Sequence, residues 1–190
     1  LSETRLVRPA GGQERVVSVT EYSYVQPAQV AHPSLFRVGS VMETDSTTGV
    51  RSVTSYTYDP LGRPLTRTAP DGTVTVYVWG YGGLYPVAAV SGTTLQAVRN
   101  VPALRSLRYG PIEGALSAES ESGLRAISGA EVTVWEYEPL VGLTRETGPD
   151  GTSVSYTYNA SGKLHEVLDA LGRTSGAYLY STDNKTDTSL

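Results

Sequence analysis

The chain has no cysteine, one phenylalanine, one methionine and two histidines among its 190 residues. Without cysteine there can be no disulfide and no thiolate metal site, and the redox compartment is left open. No apolar stretch nears the roughly 18 to 20 residues that a membrane-spanning helix needs. Basic residues never run together: 15 Lys and Arg are scattered against 19 Asp and Glu, for a net charge of −4. The clustered basic face that a nucleic-acid backbone demands is therefore missing. Leu1-Ser2-Glu3-Thr4-Arg5 carries neither an initiator Met nor the apolar core of a leader. That is expected of a chain cut from something longer, or of one whose signal has been removed.

What is abundant is tyrosine, with 13 residues against two tryptophans and one phenylalanine. A closed apolar core recruits Phe freely. Tyr is placed where a ring is half buried and its hydroxyl must reach water or a partner, and it also forms strands well. At 39% hydrophobic and 18% charged, the chain suits one domain or two small lobes with a real core. It is neither a disordered polar segment nor a coiled coil.

The tyrosines repeat. Tyr56-Thr57-Tyr58-Asp59-Pro60-Leu61 returns as Trp135-Glu136-Tyr137-Glu138-Pro139-Leu140, an offset of 79 residues from Tyr56 to Trp135. The same offset relates Pro70-Asp71-Gly72-Thr73 to Pro149-Asp150-Gly151-Thr152, and Tyr77 to Tyr156. Within each copy an aromatic doublet recurs after 21 or 22 residues, at Tyr77 and Trp79, at Tyr156 and Tyr158, and at Tyr178 and Tyr180. Tyr22-Ser23-Tyr24 stands as an earlier, degenerate member, since its 34-residue spacing to Tyr56 breaks the period.

Residues 73–79 alternate, with Val74, Val76 and Val78 on one face and Thr75, Tyr77 and Trp79 on the other. This predicts a strand covered on both sides. Residues 132–137 read as a strand with Thr133, Trp135 and Tyr137 along one face. Residues 153–158 predict Val154, Tyr156 and Tyr158 inward, with Ser153, Ser155 and Thr157 outward. The two Pro-Asp-Gly tripeptides read as tight hairpin turns. Slightly longer Asx-initiated turns closed by Gly are expected at 59–63, 159–163 and 169–173. The pattern predicts an antiparallel meander.

Between the arrays, Leu95, Val98, Val101 and Leu104 fall at helical intervals interrupted by Pro102. A short helix is expected over 120–127, with Ser122 or Ser120 as N-cap and Gly129 past its end. Residues 109–121 read as a mobile loop. The organisation expected is a β-repeat lobe at 1–92, a loop and helix insertion at 93–130, a second β-repeat lobe at 131–180, and a frayed polar tail at 181–190.

The run Gly49…Tyr56-Thr57-Tyr58-Asp59-Pro60-Leu61-Gly62-Arg63-Pro64…Gly72 resembles the YD repeat of the RHS repeat family, as does Tyr156-Thr157-Tyr158-Asn159-Ala160-Ser161-Gly162-Lys163…Gly172-Arg173. Tyr77-Val78-Trp79-Gly80-Tyr81…Leu84-Tyr85-Pro86-Val87 resembles a segment common in RHS-type proteins of the Bacteroidetes. The resemblance implies β-ribbons that spiral into a hollow shell around a toxin or polypeptide cargo. It also implies a secreted or cell-surface bacterial setting, and in some members carbohydrate binding. This chain is too short to enclose anything, and Asp59-Pro60-Leu61-Gly62 sits inside an ordinary repeat, not in a shell-cleavage region.

No residue is nominated as catalytic, cofactor-binding or metal-ligating, and no cofactor is expected. Ser161, His165 and Asp169 could be forced into a triad, but His165 occupies the repeat position held elsewhere by Thr144, with no nucleophile elbow nearby. His32 is the other histidine. Residues 183–187 lack the Gly and distal Glu of a calcium loop. Gly80-Tyr81-Gly82-Gly83 reads as a turn and not a phosphate cradle. Asp59 and Glu138 read as turn-capping acids, and Arg63 and Arg173 as their partners or as cations stacked on tyrosine. The expectation is a mainly β, antiparallel hairpin-repeat sheet with a short helical insertion, acting as a non-catalytic structural module. A carbohydrate- or protein-binding module using exposed Tyr and Trp rows is the alternative. Partners expected are other segments of a longer RHS-type chain, or a second copy joined through sheet edges. No nucleic acid is expected, and no membrane-spanning segment.

Overall fold

The computed structural model describes residues 2–10, 13–27, 35–108 and 110–180. The expectations about His32, the tail at 181–190 and the calcium-loop candidate within it fall outside those residues. The chain divides into two compact units, Leu1–Tyr77 with Val90–Asn100, and Val78–Ala89 with Val101–Leu190.

The first unit holds β1 (Ser2–Ala10), β2 (Gln13–Val25), β3 (Arg37–Asp45), β4 (Arg51–Tyr58), β5 (Pro64–Thr68) and most of β6 (Val74–Gly80), with the short helix α1 (Leu95–Asn100). Each strand from β1 to β6 pairs antiparallel with the next. The second unit holds the end of β6, most of β7 (Tyr85–Ser91), a 3₁₀ helix (Pro102–Arg108), α2 (Ala118–Arg125), β8 (Glu131–Glu138), β9 (Gly142–Thr147), β10 (Ser153–Tyr158), β11 (Leu164–Leu168) and β12 (Thr174–Ala177). From β8 to β12 neighbours again pair antiparallel in chain order. The meander read from the sequence is present in both units.

Five hairpin closures share one design. At 69–73, Gly72 N–H donates to the Ala69 carbonyl, Ala69 N–H donates to the Thr73 carbonyl, both at 2.9 Å, and Gly72 sits at φ 85°. This is a type I turn followed by a left-handed residue that only glycine adopts without strain. The same pair of bonds and a positive-φ glycine recur at 59–63, 148–152, 159–163 and 169–173. The Pro-Asp-Gly and Asx–Gly turns are therefore equal in length, not short and long. They differ in which side-chain oxygen caps them.

In four of the doublets the second aromatic sits beside a bulge. The register shifts between Ser23 and Tyr24, Thr57 and Tyr58, Glu136 and Tyr137, and Thr157 and Tyr158. The extra residue lies on the partner strand: Gly39, Leu65, Thr144 and His165. The doublet at Tyr22-Ser23-Tyr24, irregular in spacing, thus shares its local geometry with those ending at Tyr58, Tyr137 and Tyr158. Tyr178 and Tyr180 differ, because they follow β12 and do not end a strand. Past the bulge the second tyrosine reaches the preceding strand, where Tyr58 O–H donates to the Val38 carbonyl and Tyr158 O–H to the Leu143 carbonyl, both at 2.7 Å. Gly142 leaves room for that ring, since a Cβ there would lie 2.7 Å from Tyr158 Cζ. Burial pushes the Tyr58 phenol above its ordinary pKa; the nearby Tyr56 adds to the rise and Arg37 opposes it.

The buried apolar residues run in sequence from Val76 to Val134, some in each unit. Val76, Val90 and Val98 are buried in the first unit, and Val78, Val87, Ala88, Val101, Leu104, Leu124, Val132 and Val134 in the second. Among the described residues no large apolar side chain of β3–β5 or β9–β12 is fully buried. The repeat hairpins rest on their ladders, turns and tyrosine hydroxyls, which is why Tyr displaces Phe. The lone Phe36 is 57% exposed. On β10 every residue is half buried, so the expected inward and outward faces do not differ.

In the second unit α2 begins two residues before the expected helix, and its N-cap is Ser117, whose Oγ accepts from Ser120 N–H at 3.1 Å. Ser120 is itself buried in the first turn and Ser122 lies inside the helix, so neither can cap it. Gly129, at φ 74°, lies beyond the end as expected. Arg125 holds the helix to its surroundings: it pairs with Glu121 at 2.8 Å and donates to the carbonyls of Val132, Gly148 and Pro149, each at 3.2 Å. The segment read as a loop is anchored as well. Ile112 N–H donates to the Trp79 carbonyl (3.0 Å), Gly82 N–H to the Ile112 carbonyl (3.1 Å) and Tyr81 N–H to the Gly114 carbonyl (3.0 Å).

Candidate functional site

Among the described residues two that are not glycine have positive φ, Tyr81 at 52° and Leu140 at 67°. Each costs about 1–2 kcal/mol relative to ordinary backbone, and such strain gathers at functional sites. Both lie in the second unit, and both bear on one trio of tyrosines. Tyr81 O–H donates to the Tyr137 carbonyl at 2.9 Å, while the Tyr137 N–H donates back to the same hydroxyl at 3.0 Å. One phenol thereby makes the two bonds that a paired residue on a neighbouring strand would exchange. The Tyr85 hydroxyl accepts from Leu140 N–H at 3.1 Å. The Tyr85 and Tyr137 rings stack, with centroids 4.6 Å apart and planes 14° apart. Tyr81 meets them edge-on, at 5.6 Å and 6.1 Å respectively.

The local sequence explains both strained residues. Gly82 and Gly83, at φ 65° and 92°, continue the left-handed path begun at Tyr81 and let the chain turn tightly after β6. In Glu138-Pro139-Leu140-Val141 the repeat's glycine is replaced by Val141. A β-branched residue is badly strained at positive φ, so the turn closes through Val141 N–H to the Glu138 carbonyl and Leu140 takes the left-handed position. With Pro at the second residue and positive φ at the third, this is a type II turn. Burial raises the Tyr137 phenol pKa, and Glu146, Tyr81 and Tyr85 add to the rise.

The residues singled out in the sequence fall elsewhere. Asp59 and Asp169 do cap their turns: each Oδ1 accepts from the backbone N–H groups two and four residues on, all at 2.9 Å. Each Oδ2 takes the arginine of its own turn, Arg63 Nε and Nη2 both at 2.6 Å, and Arg173 Nε at 2.8 Å and Nη2 at 2.7 Å. The acid, two spacers, Gly and Arg of the motif thus form one closed structural unit. Asn159 makes the two backbone bonds through its own Oδ1, at 3.0 Å. Glu138, one methylene longer, makes no capping bond among the described residues.

Ser161 is exposed at a turn, and His165 is an exposed bulge residue whose carbonyl accepts from Tyr178 N–H. Asp169 is committed to its own turn, so the three do not form a relay. Gly80-Tyr81-Gly82-Gly83 is a turn, as read, with two of its N–H groups spent on Gly114 and Ile112. Backbone hydrogen bonds hold Asp45, Asp71 and Asp150 below the usual carboxylate range; for Asp169 the Arg173 side chain leads, with backbone bonds adding to it. Trp79 and Trp135 are half buried in their strands and not presented as an open row. Among the described residues there is no cluster of three His, Asp or Glu fit for a metal, and no helix long and apolar enough to cross a membrane. The tyrosine trio was not nominated by the sequence. Its signal was the break in pattern, a Val where the repeat has Gly.

The RHS Repeat family matches residues 43–74 and 141–178. No curated protein matches the chain. Among solved structures, the chain is similar to the crystal structure of TcdB2-TccC3 without its hypervariable C-terminal region, at 12% identity and a TM-score of 0.43, covering 90% of this chain and 9% of that one. It is also similar to the crystal structure of TcdB2-TccC3-Cdc42, at 12% identity and a TM-score of 0.31, covering 88% and 9%. The chain therefore spans about a tenth of the length of those chains.

Proposed function

From the RHS repeats that this chain carries, and from the way their polar groups are spent, we propose a non-catalytic scaffold: a shell or stalk segment of a longer, secreted or surface-borne bacterial protein. The observation that carries the reading is the closed turn. Asp59 is held by Arg63 and Asp169 by Arg173 as well as by the turn backbone, so the repeat's carboxylates are spent inside their own turns. The division into lobes at 1–92 and 131–180 around 93–130 belongs to the same reading.

Edge strands support the partner side of it. Among the described residues β1 pairs with β2 alone and β12 with β11 alone. Each so offers unpaired backbone groups to a further repeat or to a second copy. Analytical ultracentrifugation across a concentration series tests this. Self-association that a Leu6→Pro substitution in β1 abolishes supports the reading, and a monomer at every concentration contradicts the edge-pairing role. Leu6 is exposed, so the substitution sets a proline in the edge strand without emptying a core. The second reading, carbohydrate or protein binding, draws on the exposed Tyr24 and Tyr178. A glycan array with Tyr24→Ala and Tyr178→Ala controls supports it if binding is found and lost in those variants.

A further inference from the structure

A chain without cysteine has no disulfide with which to staple its strands, yet it places two tyrosine rings in the geometry of a different covalent link. Tyr85 and Tyr137 stack at 4.6 Å and 14°, so the two rings already lie in contact and a coupling needs the rings to turn edge to edge, not two distant tyrosines to be brought together. We propose that Tyr85 and Tyr137 form an oxidative cross-linking site, coupled carbon to carbon as dityrosine by a one-electron oxidant of the peroxidase class acting with hydrogen peroxide.

The balance closes. Each phenol loses one electron and one proton, giving two tyrosyl radicals. These couple through the carbons beside their oxygens, and the two ring hydrogens shift to the oxygens to restore both phenols. The two electrons and two protons reduce one hydrogen peroxide to two waters.

Hydrogen bonding selects this pair. The hydroxyls of Tyr58, Tyr81 and Tyr158 are spent on backbone carbonyls, which are too weakly basic to take the proton that oxidation must release. The Tyr85 oxygen only accepts, from Leu140 N–H, so its proton is free to leave. The Tyr137 hydroxyl has no partner among the described residues. Tyr81, edge-on to both rings, completes a cluster through which an unpaired electron can move before it is trapped. The link would join β7 to β8 and close a long stretch of sequence containing α2, restricting the unfolded chain as a disulfide does.

The inference rests on ring geometry and is independent of the scaffold reading. The test is photo-oxidation of the whole purified chain by ruthenium tris-bipyridine with persulfate. Dityrosine emission, gel mobility and tandem mass spectrometry of the monomer band are then read. The expected product is an intramolecular Tyr85–Tyr137 peptide, lost in Tyr137→Phe, which keeps every hydrogen bond described for residue 137. Circular dichroism confirms that the variant folds. The proposal is overturned if the monomer's links join other tyrosines, such as the exposed Tyr24 and Tyr178, or if Tyr137→Phe leaves the dityrosine yield unchanged.

Discussion

Replacing Asp59 by alanine removes four contacts at once. Two part-buried turn N–H groups, of Leu61 and Arg63, lose their acceptor, and the Arg63 guanidinium, whose side chain is 16% exposed, loses its counter-ion. A buried N–H left unsatisfied costs about 1–3 kcal/mol, and orphaning one partner of a buried ion pair about 3–5 kcal/mol. These terms overlap in one site and water recovers part of them, so we expect a loss of about 3–4 kcal/mol for Asp59→Ala. Asp59→Asn keeps the Oδ1 acceptor, as Asn159 does naturally, and loses only the pairing with Arg63. Its loss should be about half as large. Asp169 makes the same four contacts, but Arg173 is 72% exposed and water replaces what is removed. Asp169→Ala should therefore destabilise its hairpin less than Asp59→Ala destabilises its own. Because the chain has two units, amide hydrogen exchange at residues 61–68 and 171–177 is the assay, as it reads each hairpin separately. Equal losses at the two turns, or Asp59→Asn as damaging as Asp59→Ala, would refute the reasoning.

Thr157 Oγ1 is buried without a partner, whereas the equivalent Thr57 pairs with Thr66 at 2.7 Å. Thr157→Val should stabilise by about 1 kcal/mol and Thr57→Val should not, as read by urea denaturation. Leu140 is 94% exposed at φ 67°, so Leu140→Gly relieves strain without losing packing. Its melting temperature should rise, by about 0.5–1 kcal/mol in stability after the greater freedom of the unfolded glycine is subtracted. Folding depresses the pKa of Asp45, Asp71, Asp150 and Asp169. Their contribution is complete above the unfolded aspartate pKa and is lost as pH falls through the folded values. Melting temperature should thus drop on acidification below about pH 4, and the fourfold Asp→Asn variant should show a flatter acid limb.

Local chemistry alone specified the hairpins. An Asp or Asn placed before Gly, joined at Asp59 and Asp169 by an Arg four residues on, closes a turn through bonds that span five residues, so the turn is legible wherever those residues occur. The same locality explains the family resemblance and why Arg63 and Arg173 could be paired with their acids in advance. Where the local signal was ambiguous the expectation slipped. Three serines, Ser117, Ser120 and Ser122, compete for one N-cap, and the choice fell to Ser117 once packing had buried Ser120. Faces failed on β10 because alternation assumes a dry side and a wet side, and both sides of that strand are half covered.

The amino-acid order by itself determined the repeat, its turn chemistry and the preference for Tyr over Phe, since each is settled within a few residues. Only the tertiary structure decided that Tyr81, Tyr85 and Tyr137 meet. That meeting joins positions separated by the whole insertion and depends on two strained residues whose conformations are held by partners far along the chain. A short-range rule cannot see an interaction whose stabilisation arrives only after distant backbone has been brought together.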